Sequence, residues 1–146
     1  VNVLQAMILT KKDKMLLTPT YHVFDMYKVH QNATMLPTSL EVGKYEMSKQ
    51  SIPTMNVSAS KDKNGVIHVS VCNFKPNEDI ELKIDINGQK VRTVKSTILT
   101  APEMNSRNTF DAPNSVVPIS VADVPVTDGG LKVKIPAKSV VMFEIK

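Results

Sequence analysis

Tryptophan is absent from this 146-residue sequence, cysteine occurs once, and aromatic residues make up only 5%. A single thiol, Cys72, cannot close an internal disulfide, and it leaves the redox compartment open. No apolar run approaches the roughly 20 residues that a membrane-crossing helix requires, which excludes a helical span. No block of one charge sign stands out either: 18 Lys and Arg are interspersed with 14 Asp and Glu, giving a net charge of +4. That pattern is a solvated surface and not a nucleic-acid footprint. Glycine-rich phosphate loops, dinucleotide fingerprints and nucleophile elbows are also missing. What is present, 42% hydrophobic and 22% charged residues, suits about one globular domain. The sequence starts at Val1 without an initiator Met, a basic leader region or a cleavage site, so the start of the gene product is expected upstream.

Residues 1–10 (VNVLQAMILT) form an almost continuous apolar run, the pattern of a strand buried on both faces as in a parallel sheet, with a buried helix as the alternative. It ends at the charged cluster Lys11, Lys12, Asp13 and Lys14. Farther on, Val23 with Tyr27 and Thr20 with Phe24 are i,i+4 pairs, and Pro19 stands where a helix start tolerates it, so a short helix is expected to end near Gln31. From Thr34 onward the period changes to two. Ile80, Leu82, Ile84 and Ile86 alternate with charged residues, as do Leu131, Val133 and Ile135. Asn64-Gly65, Asn87-Gly88 and Asp128-Gly129-Gly130 read as hairpin turns, and residues 66–74 and 139–145 as further strands. Eight or nine short strands in this space imply an all-β fold, an antiparallel jelly-roll β-sandwich. Ile80, Leu82, Ile84, Leu131, Val133, Ile135, Val141, Phe143 and Ile145 are its expected core.

Candidate chemistry is thin. His22, His30 and His68 have no partner at a metal-ligand spacing and read as helix-surface and strand-face histidines. Cys72 reads as a buried structural thiol. Glu78, Asp79, Glu81 and Asp85 read as solvated acids around a strand and not as a catalytic pair. Tyr21 and Tyr27 fit a helix-face core, which leaves Tyr45 as the remaining tyrosine and no aromatic platform for a sugar ring. Asn32-Ala33-Thr34 and Asn56-Val57-Ser58 match the glycosylation pattern, one that chance often produces. Catalytic, cofactor-binding and metal-binding residues are therefore expected to be none.

The order of four segments carries more. VNVLQAMILT, KMLLTPTYHVFDMYKVHQ, TAPEMNSRNTFDAPNSVVP and IPAKSVVMFEIK together resemble the C-terminal part of the α-L-arabinofuranosidases of glycoside hydrolase family 51. The resemblance spans nearly the whole chain, and Asn108-Thr109-Phe110, Val116-Val117-Pro118 and the stretch from Pro136 to Phe143 are its more specific words. It implies that residues 1–31 are the remnant of a (β/α)8 barrel, its last strand and helix, and that residues 32–146 are the sandwich. It further implies retaining hydrolysis of terminal α-L-arabinofuranosyl groups by two glutamates of the barrel, neither of which matches an acid of this chain. The segment from Thr10 to Leu17 would be the loop on the barrel's active rim, with Leu16 and Leu17 where some relatives carry a polar, sugar-contacting residue.

The expectation is thus a structural C-terminal domain, inactive alone and without a cofactor, whose partners are the parent's barrel and, through it, an arabinose-containing polysaccharide. No nucleic-acid or membrane partner is expected, and the parent is placed outside the cytoplasm, extracellular or periplasmic. Two alternatives stay open, a carbohydrate-binding module and a free-standing protein interaction domain. An apolar strand without its neighbours invites pairing, so self-association through Val3, Leu4, Met7 and Ile8 is also expected.

Overall fold

The computed structural model describes residues 6–121, 124–127 and 129–146. Strands β1 (Ile8–Lys11) and β2 (Lys14–Leu17) form an antiparallel hairpin, followed by helix α1 (Pro19–Tyr27) and a 3₁₀ turn (Lys28–His30). The remaining strands are β3 (Thr34–Leu36), β4 (Lys44–Met47), β5 (Gln50–Pro53), β6 (Met55–Lys61), β7 (Ile67–Asn73), β8 (Ile80–Asp85), β9 (Val94–Leu99), β10 (Ile119–Val121), β11 (Val126–Thr127), β12 (Gly130–Ile135) and β13 (Ser139–Ile145). A six-stranded sheet runs β10-β9-β13-β7-β6-β3, a three-stranded sheet runs β11-β12-β8, and β4 pairs with β5. Every pairing is antiparallel.

Alternation decides which side chains meet between the sheets. From β13, Val141, Phe143 and Ile145 point inward with Ile67, Val69 and Val71 of β7, and they meet Leu131 and Ile135 of β12 in one buried cluster. Ile80, Leu82, Ile84 and Val133 pack against that cluster while staying partly exposed, so all nine expected core residues line it. The half-exposure of β8 follows from its place at the edge of the smaller sheet, where no further strand covers it among the described residues. Gly130 sits against β8 so closely that a Cβ there would overlap the Ile84 carbonyl, which is why this strand opens on glycine.

The outer face of the six-stranded sheet is covered as well. Met26 of α1 is buried with Leu99, Val116 and Met142, and Val23, Tyr27, Val29 and Val140 pack around them. Thr18 caps the helix, accepting from Tyr21 N at 3.5 Å, and Pro19 occupies the first turn as its fixed φ allows. The Thr18 hydroxyl also donates toward Ala6 O at 2.9 Å, joining the cap to the hairpin. Val23 and Tyr27 face the sheet, whereas Phe24 is 62% exposed.

Three expectations need correction. Residues 1–5 lie outside the described residues, Val3 and Leu4 among them. Residues 8–11 do not form a strand buried on both faces of a parallel sheet: they turn back antiparallel onto Lys14–Leu17, with Met7, Ile8 and Leu9 exposed. The cluster Lys11 to Lys14 makes the tip of that hairpin, with Lys12 in the left-handed region at φ 55°, and all of the expected rim loop from Thr10 to Leu17 is strand except Lys12 and Asp13. Asn87-Gly88 is a turn but not a hairpin: β8 belongs to the smaller sheet and β9 to the larger, so the chain changes layers there. Asn64-Gly65 does join paired strands, with Asp62 accepting from Asn64 N and Val66 N at 2.8 and 2.9 Å. Asp128 of the third turn lies outside the described residues, and Gly129-Gly130 leads from β11 into β12.

Candidate functional site

The acidic candidates are spent on lysines. Glu78 pairs with Lys75, Asp79 with Lys134 at 3.0 Å, Glu81 with Lys132 at 3.0 Å and Asp85 with Lys83 at 2.9 Å. Asp79 also accepts from Ala137 N at 2.8 Å, and that bond, ahead of Lys134, holds its carboxyl below the usual range. These are exposed ion pairs of small energetic weight. Among the described residues no three His, Cys, Asp or Glu side chains gather as a metal site, and no helix is long and apolar enough to cross a membrane.

The polar groups that do converge lie between α1 and the outer face of the large sheet. Alternation puts Ser60 of β6 and His68, Ser70 and Cys72 of β7 on that face. His30, at the end of the 3₁₀ turn, meets Ser60 Oγ through Nδ1 at 2.6 Å and Ser70 Oγ through Nε2 at 3.0 Å. It is therefore a bridge into the sheet and not the helix-surface residue expected. Burial, and secondarily His68, push its pKa down. His68 does lie on a strand face, but a buried one, with Nε2 3.5 Å from Asp62 and Nδ1 enclosed without a partner among the described residues. Burial opposes ionisation of Asp62; the Val66 and Asn64 N–H groups and His68 outweigh it and leave that carboxyl below its usual range. His22 lies edge-on to Tyr21, with its Nε2 enclosed and without a partner among the described residues.

Cys72 is half-buried, 3.3 Å from the Tyr27 hydroxyl. Burial, followed by that contact, pushes the Tyr27 phenol up to about 12. A raised acid pKa means that the folded state holds its proton longer, so this contribution to stability is intact below pH 10.0 and is lost as pH rises toward 12. In a phenolate absorbance titration, one of the three tyrosines is expected to ionise only with unfolding, and Tyr27→Phe should abolish that late component.

Two hollows flank the joint. One of about 520 Å³ is lined by Met26, His68, Lys95, Pro118, Met142 and Glu144. The other, about 320 Å³, lies over Cys72, Phe74, Leu99, Thr100 and Val140. Two carboxyls border the larger hollow, Asp25 and Glu144, but each is paired with a lysine, Lys28 at 2.6 Å and Lys146 at 2.8 Å; one, Glu103, borders the smaller. A residue that composition could not single out, Asn108, ties the hairpin to the loop before β10. Its amide donates to Leu17 O at 2.9 Å and Val116 O at 3.0 Å and accepts from Val116 N at 2.7 Å. Beside it, the Lys11 ammonium stands 5.9 Å over the Phe110 ring. Leu16 is fully buried, so this position offers no polar contact to a sugar.

Fold and site define a class: an antiparallel β-sandwich clamped to a preceding helix and hairpin. The chain belongs to the α-L-arabinofuranosidase C-terminal domain family, whose model matches residues 1–139. It is 45% identical, over its full length, to an intracellular exo-α-L-arabinofuranosidase of Bacteroides ovatus, and spans 29% of that protein. The solved family 51 arabinofuranosidase from Xanthomonas axonopodis pv. citri superposes with a TM-score of 0.94 at 39% identity, covering 99% of this chain and 29% of that one. An arabinofuranosidase from Thermotoga maritima, at 24% identity, shares the fold, with a TM-score of 0.83 over 94% of this chain and 30% of its own. The name of the Bacteroides relative corrects one expectation: an intracellular relative contradicts the extracellular or periplasmic placement. That placement had no physical support in the sequence, since one thiol indicates neither compartment.

Proposed function

We propose that this chain is the C-terminal part of an exo-acting α-L-arabinofuranosidase, with residues 1–31 the last strand and helix of its catalytic barrel and residues 32–146 a sandwich that braces it. The observation that carries this reading is the asymmetry of the hairpin and helix. One side is locked to the sandwich through Met26, His30 and Asn108, while the other exposes Met7, Ile8, Leu9, Met15 and Phe24. A hairpin and helix fastened on one side and carrying exposed apolar residues on the other are what the end of a barrel needs in order to join two bodies. No residue of this chain is a catalytic residue in this reading; the acid/base and nucleophile belong to the catalytic part, and arabinose-containing polysaccharide reaches the protein there. Left alone, the exposed side pairs with a second copy, with Met7 and Ile8 at the contact.

Two measurements test this. The chain alone should turn over no aryl α-L-arabinofuranoside, and joined to a family 51 barrel lacking these residues it should restore activity; turnover by the chain alone overturns the proposal. In sedimentation the isolated chain should self-associate and the joined protein should lose that contact; a strictly monomeric isolated chain would refute the pairing.

A further inference from the structure

One side chain, His30, fastens the 3₁₀ turn to the sheet by bonding to two strands at once. With the Ser70 hydroxyl directed at Ser58 O, 3.3 Å away, its oxygen accepts from His30 Nε2 at 3.0 Å. In that arrangement Nε2 carries the ring proton, and Nδ1 accepts from the Ser60 hydroxyl at 2.6 Å. The imidazole that satisfies both strands is the neutral Nε2–H form. A second proton, on Nδ1, would face a buried hydroxyl whose own hydrogen has no other acceptor among the described residues.

The ionisable neighbours do not relieve that conflict. From β7 comes His68, with Asp62 at 3.5 Å behind it and Glu144 of β13 opposite it. From α1 comes Tyr27, edge-on to the His30 ring with centroids 5.6 Å apart, and beyond it Cys72. Lys28 of the turn itself is held by Asp25 at 2.6 Å, and Glu144 by Lys146 at 2.8 Å. No carboxylate lies within ion-pair distance of His30 among the described residues.

We propose that His30 is a proton-sensitive clasp, which fastens the carboxyl end of α1 to β6 and β7 while neutral and releases it in mild acid, with the sandwich left folded. This goes beyond the arabinofuranosidase reading and does not rest on it. The docked ring holds a proton less readily than a free one, so docking is complete above 6.5, the ordinary histidine value, and weakens as pH falls below it. The sandwich core has no part in this titration, because its cluster is built from aliphatic side chains, Met55 and Phe143.

Nuclear magnetic resonance on the 146-residue chain, from about pH 8 to about pH 5, tests it. Nitrogen shifts should report the Nε2–H tautomer of His30 at neutral pH. Amide protection at residues 28–31 should fall by up to about tenfold per pH unit below 6.5, with β13 unchanged. Ser60→Ala, which frees Nδ1, should move the midpoint upward, and His30→Gln should remove the pH dependence. An Nδ1–H tautomer, titration of His30 with steady protection at 28–31, or an acid loss that persists in His30→Gln would each overturn the clasp. Should His30→Gln fail to fold, the Ser60→Ala shift decides alone.

Discussion

Replacing Phe143 by Ala is expected to destabilise the chain by about 3–5 kcal/mol, the range for emptying a large aromatic site that cannot collapse. Phe143 is 2% exposed and stands in the central strand of the large sheet, opposite Val69 on one side and Ser96 on the other. Its ring fills the space between the layers together with Val141, Ile145, Leu131 and Ile135. Backbone hydrogen bonds on both edges of β13 keep neighbours from moving in to fill the void. Lys132→Ala makes the control: its ammonium pairs with Glu81 at 3.0 Å on the exposed face of β12, and the change should stay within about 0.5 kcal/mol. Urea unfolding of both variants checks the pair, and equal costs would show that the register of these strands is off by one.

Asn108→Ala should have the next largest effect, about 2–4 kcal/mol, because it removes one side chain and strands three backbone groups. Val116 N–H loses its acceptor, and the Leu17 and Val116 carbonyls lose their donor, at a site buried to 5% exposure. Asn108→Asp refines the test, since it preserves the acceptor for Val116 N–H but turns an oxygen toward two carbonyls. It should be no better tolerated than alanine at neutral pH. Urea unfolding supplies the free energy, and hydrogen exchange should show protection of β2 lost first; a cost below about 1 kcal/mol would mean that the clamp does not hold the hairpin.

Those two residues mark what the sequence could and could not disclose. Phe143 was legible because Val141, Phe143 and Ile145 keep strict period two, and the same holds for β8 and β12, whose register pairs Leu82 with Val133 as the alternation requires. The helix was legible from Pro19 and its i,i+4 pairs. The hairpin was not, because an apolar run reads alike whether its cover comes from parallel neighbours or from a strand six residues on, and a KKDK tip looks like any loop. β3, β4, β5, β10 and β11 have two to four residues each, too few for a period to declare itself. The His30 bridge joins residues 30 and 40 positions apart in the chain, a proximity that no local spacing encodes. Asn108 belonged to one of the words by which the chain resembles its family, and only the carbonyls around it show why an amide is needed there.

The placement of β13 also governs how the molecule is made. It is the last described strand in the chain, yet it lies between β7 and β9 at the middle of the large sheet. A ribosome delivers the amino end first. Until residues 139–145 have cleared the exit tunnel, β7 and β9 have an empty lane between them, and α1 lacks the Val140 and Met142 floor against which Met26 settles. Local hairpins such as β6–β7 form early, while closure waits for the long-range partner, the slow step in sheets of this topology. Closure of the large sheet therefore waits on synthesis of residues 139–145, and a stop anywhere before residue 139 would leave the lane between β7 and β9 open.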